Sequence, residues 1–166
     1  SLGQEYRNEL LYLKHQEKKD TLLLFLDPQG IGSYPMKKYK KLLINRFDAM
    51  GSFFSKNGVN QSEVLKHIRL ALNKAGDYRT IYIIGFSGGG RNAFLTGLTL
   101  NDQFKNLNII SCGAGFHNPR YKGEINFPFT ILIGENDFNY SEVNRLTSNK
   151  KVNLRSFKGH HQWPPI

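Results

Sequence analysis

The sequence holds one cysteine, Cys112, so no disulfide can close within the chain. It follows the apolar pair Ile109 and Ile110 and reads as a small buried side chain. No motif around it supports a catalytic thiol. Metal-ligand spacing is missing as well: among the five histidines, His160 and His161 are adjacent rather than three or four apart. No apolar run approaches the roughly 20 residues that span a bilayer. The longest, Thr21 to Leu26, is strand-sized. Acidic residues are scarce, 13 against 23 basic ones, which leaves a net charge of +10. The basic residues are scattered and no nucleic-acid motif accompanies them. The charge therefore reads as a lysine-rich solvated surface, and no nucleic-acid partner is expected. The chain opens at Ser1 without an initiator Met or a signal-like segment, which suggests a trimmed or processed chain. The compartment stays open, with a secreted or periplasmic one favoured.

What is present is a regular alternation of strand-like and helix-like segments. With 166 residues, 39% of them hydrophobic, the chain suits one domain over 1–166 with one core. Glu5 to Leu13 reads as a strand, and Thr21 to Leu26 as a strand buried on both faces. A loop over Asp27 to Gly32 follows, then a helix over Met36 to Phe47 and a strand over Ala49 to Ser55. Gln61 to Ala75 places Val64, Leu65, Ile68, Leu72 and Ala75 on one helical face. Strands over Thr80 to Ile84, Asn108 to Cys112, Phe129 to Ile133 and Lys151 to Phe157 come next. They are interleaved with helices over Gly89 to Leu100 and Ser141 to Thr147. Two strands followed by this alternation predict an α/β fold, a mostly parallel sheet flanked by helices.

Between the fourth strand and its helix lies "YIIGFSGGGRNAF", a serine among four glycines. Three chemistries use such a turn. A phosphate loop needs G-x-x-x-x-G-K-[ST], but Arg91 stands where the lysine belongs and Asn92 where the magnesium-binding hydroxyl belongs. A dinucleotide turn, matched by Gly88, Gly90 and Ala93, should follow the first strand of its unit and have an acid at the next strand end. "NLNIISCG" offers none. The nucleophile elbow G-x-S-x-G is matched by Gly85-Phe86-Ser87-Gly88-Gly89. There the serine hydroxyl projects above the sheet, small flanking residues prevent collisions, and the N–H of Gly88 is available to an oxyanion.

A serine nucleophile needs a base and a carboxylate that orients it, in the chain order serine, acid, histidine for this turn. In "FTILIGENDFNYSE", Asp137 lies just past the end of a strand. Glu135 and Glu142 compete with it, and Asp137 is preferred because it sits further into the loop. The loop "KGHHQWPPI" supplies His160 and His161. A second oxyanion donor is expected in "FLDPQGIG", where Pro28 has no N–H and Gln29 or Gly30 does.

Together "FLDPQG", "GFSGGGRNA" and "GHHQWPP" resemble the α/β-hydrolase superfamily, in particular small serine esterases of the polyhydroxyalkanoate depolymerase and feruloyl esterase type. The last piece is similar to that group's G-H-x-W-P ending. The resemblance thereby implies that His161 is the base, Asp137 the acid and Ser87 the nucleophile of an ester hydrolase acting on small-molecule or polymeric esters without a cofactor. In this family a helix usually follows the histidine loop. The chain stops at Ile166, so that helix is expected to be missing or very short. The stretch from Cys112 to Phe129 is too short for a sizeable lid, so an open, shallow site is expected. Its apolar wall would come from Phe86, Phe116, Trp163 and Tyr34, with core packing the alternative for each. Other readings of the same residues are a peptidase or thioesterase, or a hydrolase-like binding module without catalysis.

Overall fold

The computed structural model describes residues 8–12, 20–27, 38, 49–54, 61–75, 78–115, 125–144 and 152–165. Its elements are β1 (Asn8–Tyr12), β2 (Thr21–Asp27), β3 (Ala49–Phe54), α1 (Gln61–Ala75), β4 (Thr80–Phe86), α2 (Gly88–Leu100), β5 (Leu107–Cys112), β6 (Phe129–Gly134), α3 (Tyr140–Asn144) and β7 (Val152–Phe157). The helix expected over Met36 to Phe47 lies outside the described residues except for Lys38, which is helical. Two boundaries differ from expectation. Asp27 is not the start of a loop but the last residue of β2, paired beside Phe54 of β3. β4 extends through Gly85 and Phe86, so the strand runs directly into Ser87.

The strands form one seven-stranded sheet in the order β1-β3-β2-β4-β5-β6-β7. β1 pairs antiparallel with β3, and every other pairing is parallel. After β2 the chain moves outward to β3, then returns past β2 to place β4 on its other side. The direction of winding therefore reverses between β2 and β4. In an open parallel sheet that reversal leaves a crevice at the carboxyl ends of the two strands, where ligands are bound. Ser87 follows β4 directly, at that crevice.

Burial explains the uninterrupted apolar run in β2. Leu22, Leu24 and Leu26 point into a large core with Ile68 and Leu72 of α1, Ile81 and Ile83 of β4, and Ala93, Phe94 and Leu100 of α2. Leu23 and Phe25 point to the other face, into a smaller cluster with Cys112 and Trp163. Each of Leu22 to Leu26 is at most 2% exposed. A strand covered on both faces has no position for a polar residue, which is why the alternation of a half-buried strand is missing. Truncating one of these leucines to alanine costs about 2–5 kcal/mol through lost burial and the cavity left behind. Among the described residues no helix is long and apolar enough to cross a membrane.

Candidate active site

Ser87 stands between β4 and α2 with φ 55° and ψ −119°. It is the one described non-glycine residue with positive φ. Such a conformation costs on the order of 1–3 kcal/mol and persists only where the surroundings impose it. Here they do. The Ser87 N–H donates to the Cys112 carbonyl at 2.8 Å, and the Ser87 carbonyl accepts from Arg91 at 3.2 Å, the first turn of α2. The glycines on either side allow the turn to close. A Cβ on Gly85 would lie 1.9 Å from the Gly89 carbonyl oxygen, and one on Gly89 would lie 2.1 Å from that of Leu26. Neither contact is with a side chain that could move aside, so the spacing G-x-S-x-G is a packing requirement of this turn.

Serine is a favoured helix N-cap because its hydroxyl accepts from an N–H of the first turn. Ser87 occupies the N-cap of α2, yet its side chain makes no capping bond. The hydroxyl is turned to His161 instead, with Oγ 3.1 Å from Nε2. On the other side of the ring, Nδ1 lies 2.9 Å from Oδ2 of Asp137. The Asp137 side chain is fully buried while that of His161 keeps 24% of its surface. A buried carboxylate requires a partner for each oxygen. Oδ2 has the imidazole, and Oδ1 accepts the Asn139 N–H at 2.9 Å. With Nδ1 protonated, His161 donates to Asp137 and Nε2 is left to accept the Ser87 hydroxyl proton. The arrangement thus has the geometry for proton removal from a serine.

The three residues come from three loops at the same end of the sheet. The Asp137 loop is closed on β6 by the Asp137 N–H donating to the Gly134 carbonyl at 3.0 Å. It is fastened to the histidine loop by the Asn136 N–H, which donates to the Gly159 carbonyl at 2.9 Å. The histidine loop is in turn held by Trp163, which is 7% exposed. Its ring lies edge-on to Phe25 at 6.0 Å and stacks on Phe86 at 5.4 Å. Trp163 therefore packs in the core beneath the loop. Phe86 is half-buried and reaches His161 as well, with ring centroids 4.9 Å apart.

Of the competing acids, Glu135 is exposed in the turn after β6 and Glu142 lies on α3, half-buried. His160 is exposed and donates its N–H to Oε1 of Gln162. Gly88 opens α2, and the first N–H groups of a helix have no partner within it. Gln29, Gly30, Tyr34 and Phe116 lie outside the described residues. Cys112 is completely buried; burial, and then the negative charge of Asp137, push its thiol well above the usual range and keep it neutral.

Three neighbours stand in no motif of the sequence. Gly113 has φ 66°, and a Cβ there would meet Phe86 Cε2 at 3.1 Å and both Asp137 Oδ2 and His161 Nδ1 at 3.2 Å. Its place just after β5 was the available clue. Asn139 is buried and donates from Nδ2 to the Gly113 carbonyl at 2.9 Å. Phe138, directly after the acid, is 76% exposed with its ring centroid 4.5 Å from that of His161. Among the described residues no group of three or more His, Cys, Asp or Glu is set to hold a metal ion.

No family model matches the sequence, and no curated protein matches it. Solved structures do match. Est1E from Butyrivibrio proteoclasticus aligns with a TM-score of 0.72 at 14% identity, over 94% of this chain and 86% of that one. An α/β serine hydrolase homologue from Coxiella burnetii gives 0.70 at 17% identity, over 94% and 83%. Esterase PE8 gives 0.69 at 14% identity, over 95% and 92%. A further matching structure is of Est1E with ferulic acid bound. At such identities what is shared is the architecture: the chain has the α/β-hydrolase fold, and among solved structures it resembles esterases built on that fold.

Proposed function

We propose that the protein is a serine hydrolase that cleaves carboxylic esters through an acyl-enzyme. The observation that carries this reading is the unbroken series of contacts from Ser87 Oγ to His161 Nε2 at 3.1 Å and from His161 Nδ1 to Asp137 Oδ2 at 2.9 Å. It is supported by the strained Ser87 backbone, which withdraws the hydroxyl from its capping role. The fold likeness to esterase PE8 and to Est1E, seen with ferulic acid, is consistent with it.

Ser87 Oγ attacks the acyl carbon as its proton passes to His161 Nε2. Asp137 holds the ring in the tautomer that can accept this proton and stabilises the imidazolium. The oxyanion forms at the mouth of α2, where the Gly88 N–H is one donor and the N–H of Gln29 or Gly30 is the second. A pair of such preorganised donors lowers the barrier by about 3 kcal/mol or more. The imidazolium protonates the leaving alcohol. Water then attacks the acyl-enzyme with His161 as its base, which releases the acid and restores Ser87. No step requires a metal or an organic cofactor.

The test is turnover of p-nitrophenyl acetate with labelling by a fluorophosphonate. Ser87→Ala is expected to lose both. Undiminished turnover in that variant ends the assignment, and a wild-type protein that takes no label favours the non-catalytic binding module.

A further inference from the structure

We infer that Phe138 forms the alcohol-side subsite, so that the enzyme prefers esters of aromatic or extended apolar alcohols over those of small ones. Under the esterase reading, on which this depends, one bond forms between Ser87 Oγ and the acyl carbon. One bond breaks, between that carbon and the alcohol oxygen, which leaves with the proton carried by His161 Nε2. The departing oxygen must therefore come within hydrogen-bond reach of Nε2. The carbon skeleton attached to it is thereby confined to the neighbourhood of the imidazole, while the acyl chain extends from the other side of the carbonyl carbon.

Among the described residues two aromatic rings border that imidazole, and they differ in surroundings. Phe86, at 4.9 Å, is half-buried and already stacked on Trp163 at 5.4 Å, so it belongs to the support beneath the histidine. Phe138, at 4.5 Å, leaves 76% of its surface in water. An exposed phenylalanine is left in water at a cost, and Phe138 and Leu70 are the large apolar side chains exposed in this way among the described residues. Leu70 lies on α1, which contributes none of Ser87, Asp137 and His161. The backbone around Phe138 is well held, with Asp137 and Asn139 on either side both buried and bonded. The ring is therefore presented from a held backbone beside the imidazole that would protonate the leaving group. An aromatic alcohol can lie against it and bury apolar area on both partners, whereas methanol has nothing to place there.

Acyl-matched esters test this. Phenyl acetate and methyl acetate share an acyl-enzyme and differ only in the alcohol. Comparing each variant with wild type on the same ester cancels the intrinsic reactivity of phenol. Phe138→Ala is expected to lower kcat/KM about 3- to 10-fold on phenyl acetate and to leave methyl acetate within about twofold. Phe138→Tyr is expected to restore the phenyl ester. The rate of deacylation, which begins after the alcohol has gone, is expected to be the same in all three proteins.

An equal loss on both esters, or slowed deacylation, would mean that Phe138 merely holds His161 in place and would overturn the subsite. Unchanged kinetics on both esters would overturn it as well. The esterase reading itself fails on different results: a wild-type protein that turns over neither ester, or Ser87→Ala that still does. Thermal melting of each variant confirms that the exposed substitution leaves the fold intact.

Discussion

Asn139 ties the acid loop to the neighbouring strand end: its side-chain amide donates to the Gly113 carbonyl at 2.9 Å while its own N–H holds Asp137 Oδ1 at the same distance. One residue thereby sets the position of the carboxylate relative to the β5 loop. Asn139→Ala leaves the buried Gly113 carbonyl without this donor and is expected to cost about 1–3 kcal/mol of stability. Under the esterase reading, misplacing Asp137 is expected to reduce kcat about 10- to 100-fold. Asn139→Asp, which sets a carboxylate against the carbonyl oxygen, should be worse on both counts. Denaturant unfolding and ester turnover measured on the same preparations check this; wild-type values in Asn139→Asp would refute it.

The strain at Ser87 leads to a separation of stability from activity. Ser87→Ala and Ser87→Gly both remove the proposed nucleophile and are expected to be inactive. Alanine must still adopt φ 55°, whereas glycine adopts it without a Cβ penalty. Glycine is therefore expected to be the more stable of the two by about 1 kcal/mol, or roughly 2–4 °C in Tm for a chain of this size. Calorimetry of the pair decides it, and a higher Tm for the alanine variant would show that the turn is not strained.

Cys112 makes stability depend on alkaline pH. In the unfolded chain its thiol ionises near pH 8.5, but burial and the nearby Asp137 keep it protonated in the folded protein. The folded state then binds more protons than the unfolded state, so stability falls as pH rises past about 8.5, by roughly 1.4 kcal/mol per pH unit. Below that pH the contribution is fully present. Other groups titrate in the same range, so the measurement is the difference in slope between wild type and Cys112→Ala in unfolding experiments at pH 8 and 10. Parallel slopes would contradict it. The native thiol is also expected to resist Ellman's reagent until the protein is unfolded.

The parts of the fold that were legible from sequence are those in which neighbours along the chain share a job. The run from Leu22 to Leu26 signals a strand covered on both faces, and the spacing of Ile68 and Leu72 signals a buried helical face. The turn around Ser87 is legible because its constraint is local, two glycines colliding with backbone if given a side chain. The three residues that escaped notice act across the sheet. Gly113 is required to be small by Phe86, Asp137 and His161, none of them near it in the chain. Asn139 reaches a carbonyl on another loop, and Phe138 meets a ring that lies beyond α3 and β7 in the chain. The sequence around Trp163 is compatible with a wall of the site or with core. Its near-complete burial against Phe25 follows from a contact between the second strand and the last loop, which no periodicity reports.

The order in which the loops emerge has a temporal consequence. Ser87 precedes His161 by 74 residues, and Asp137 precedes it by 24. A chain still being synthesised displays a serine at the end of β4 long before the imidazole that would take its proton exists. Under the proposed mechanism the hydroxyl is an ordinary alcohol until the last loop docks its tryptophan under the sheet. Under the esterase reading, the nascent protein is harmless to any ester it meets on the ribosome.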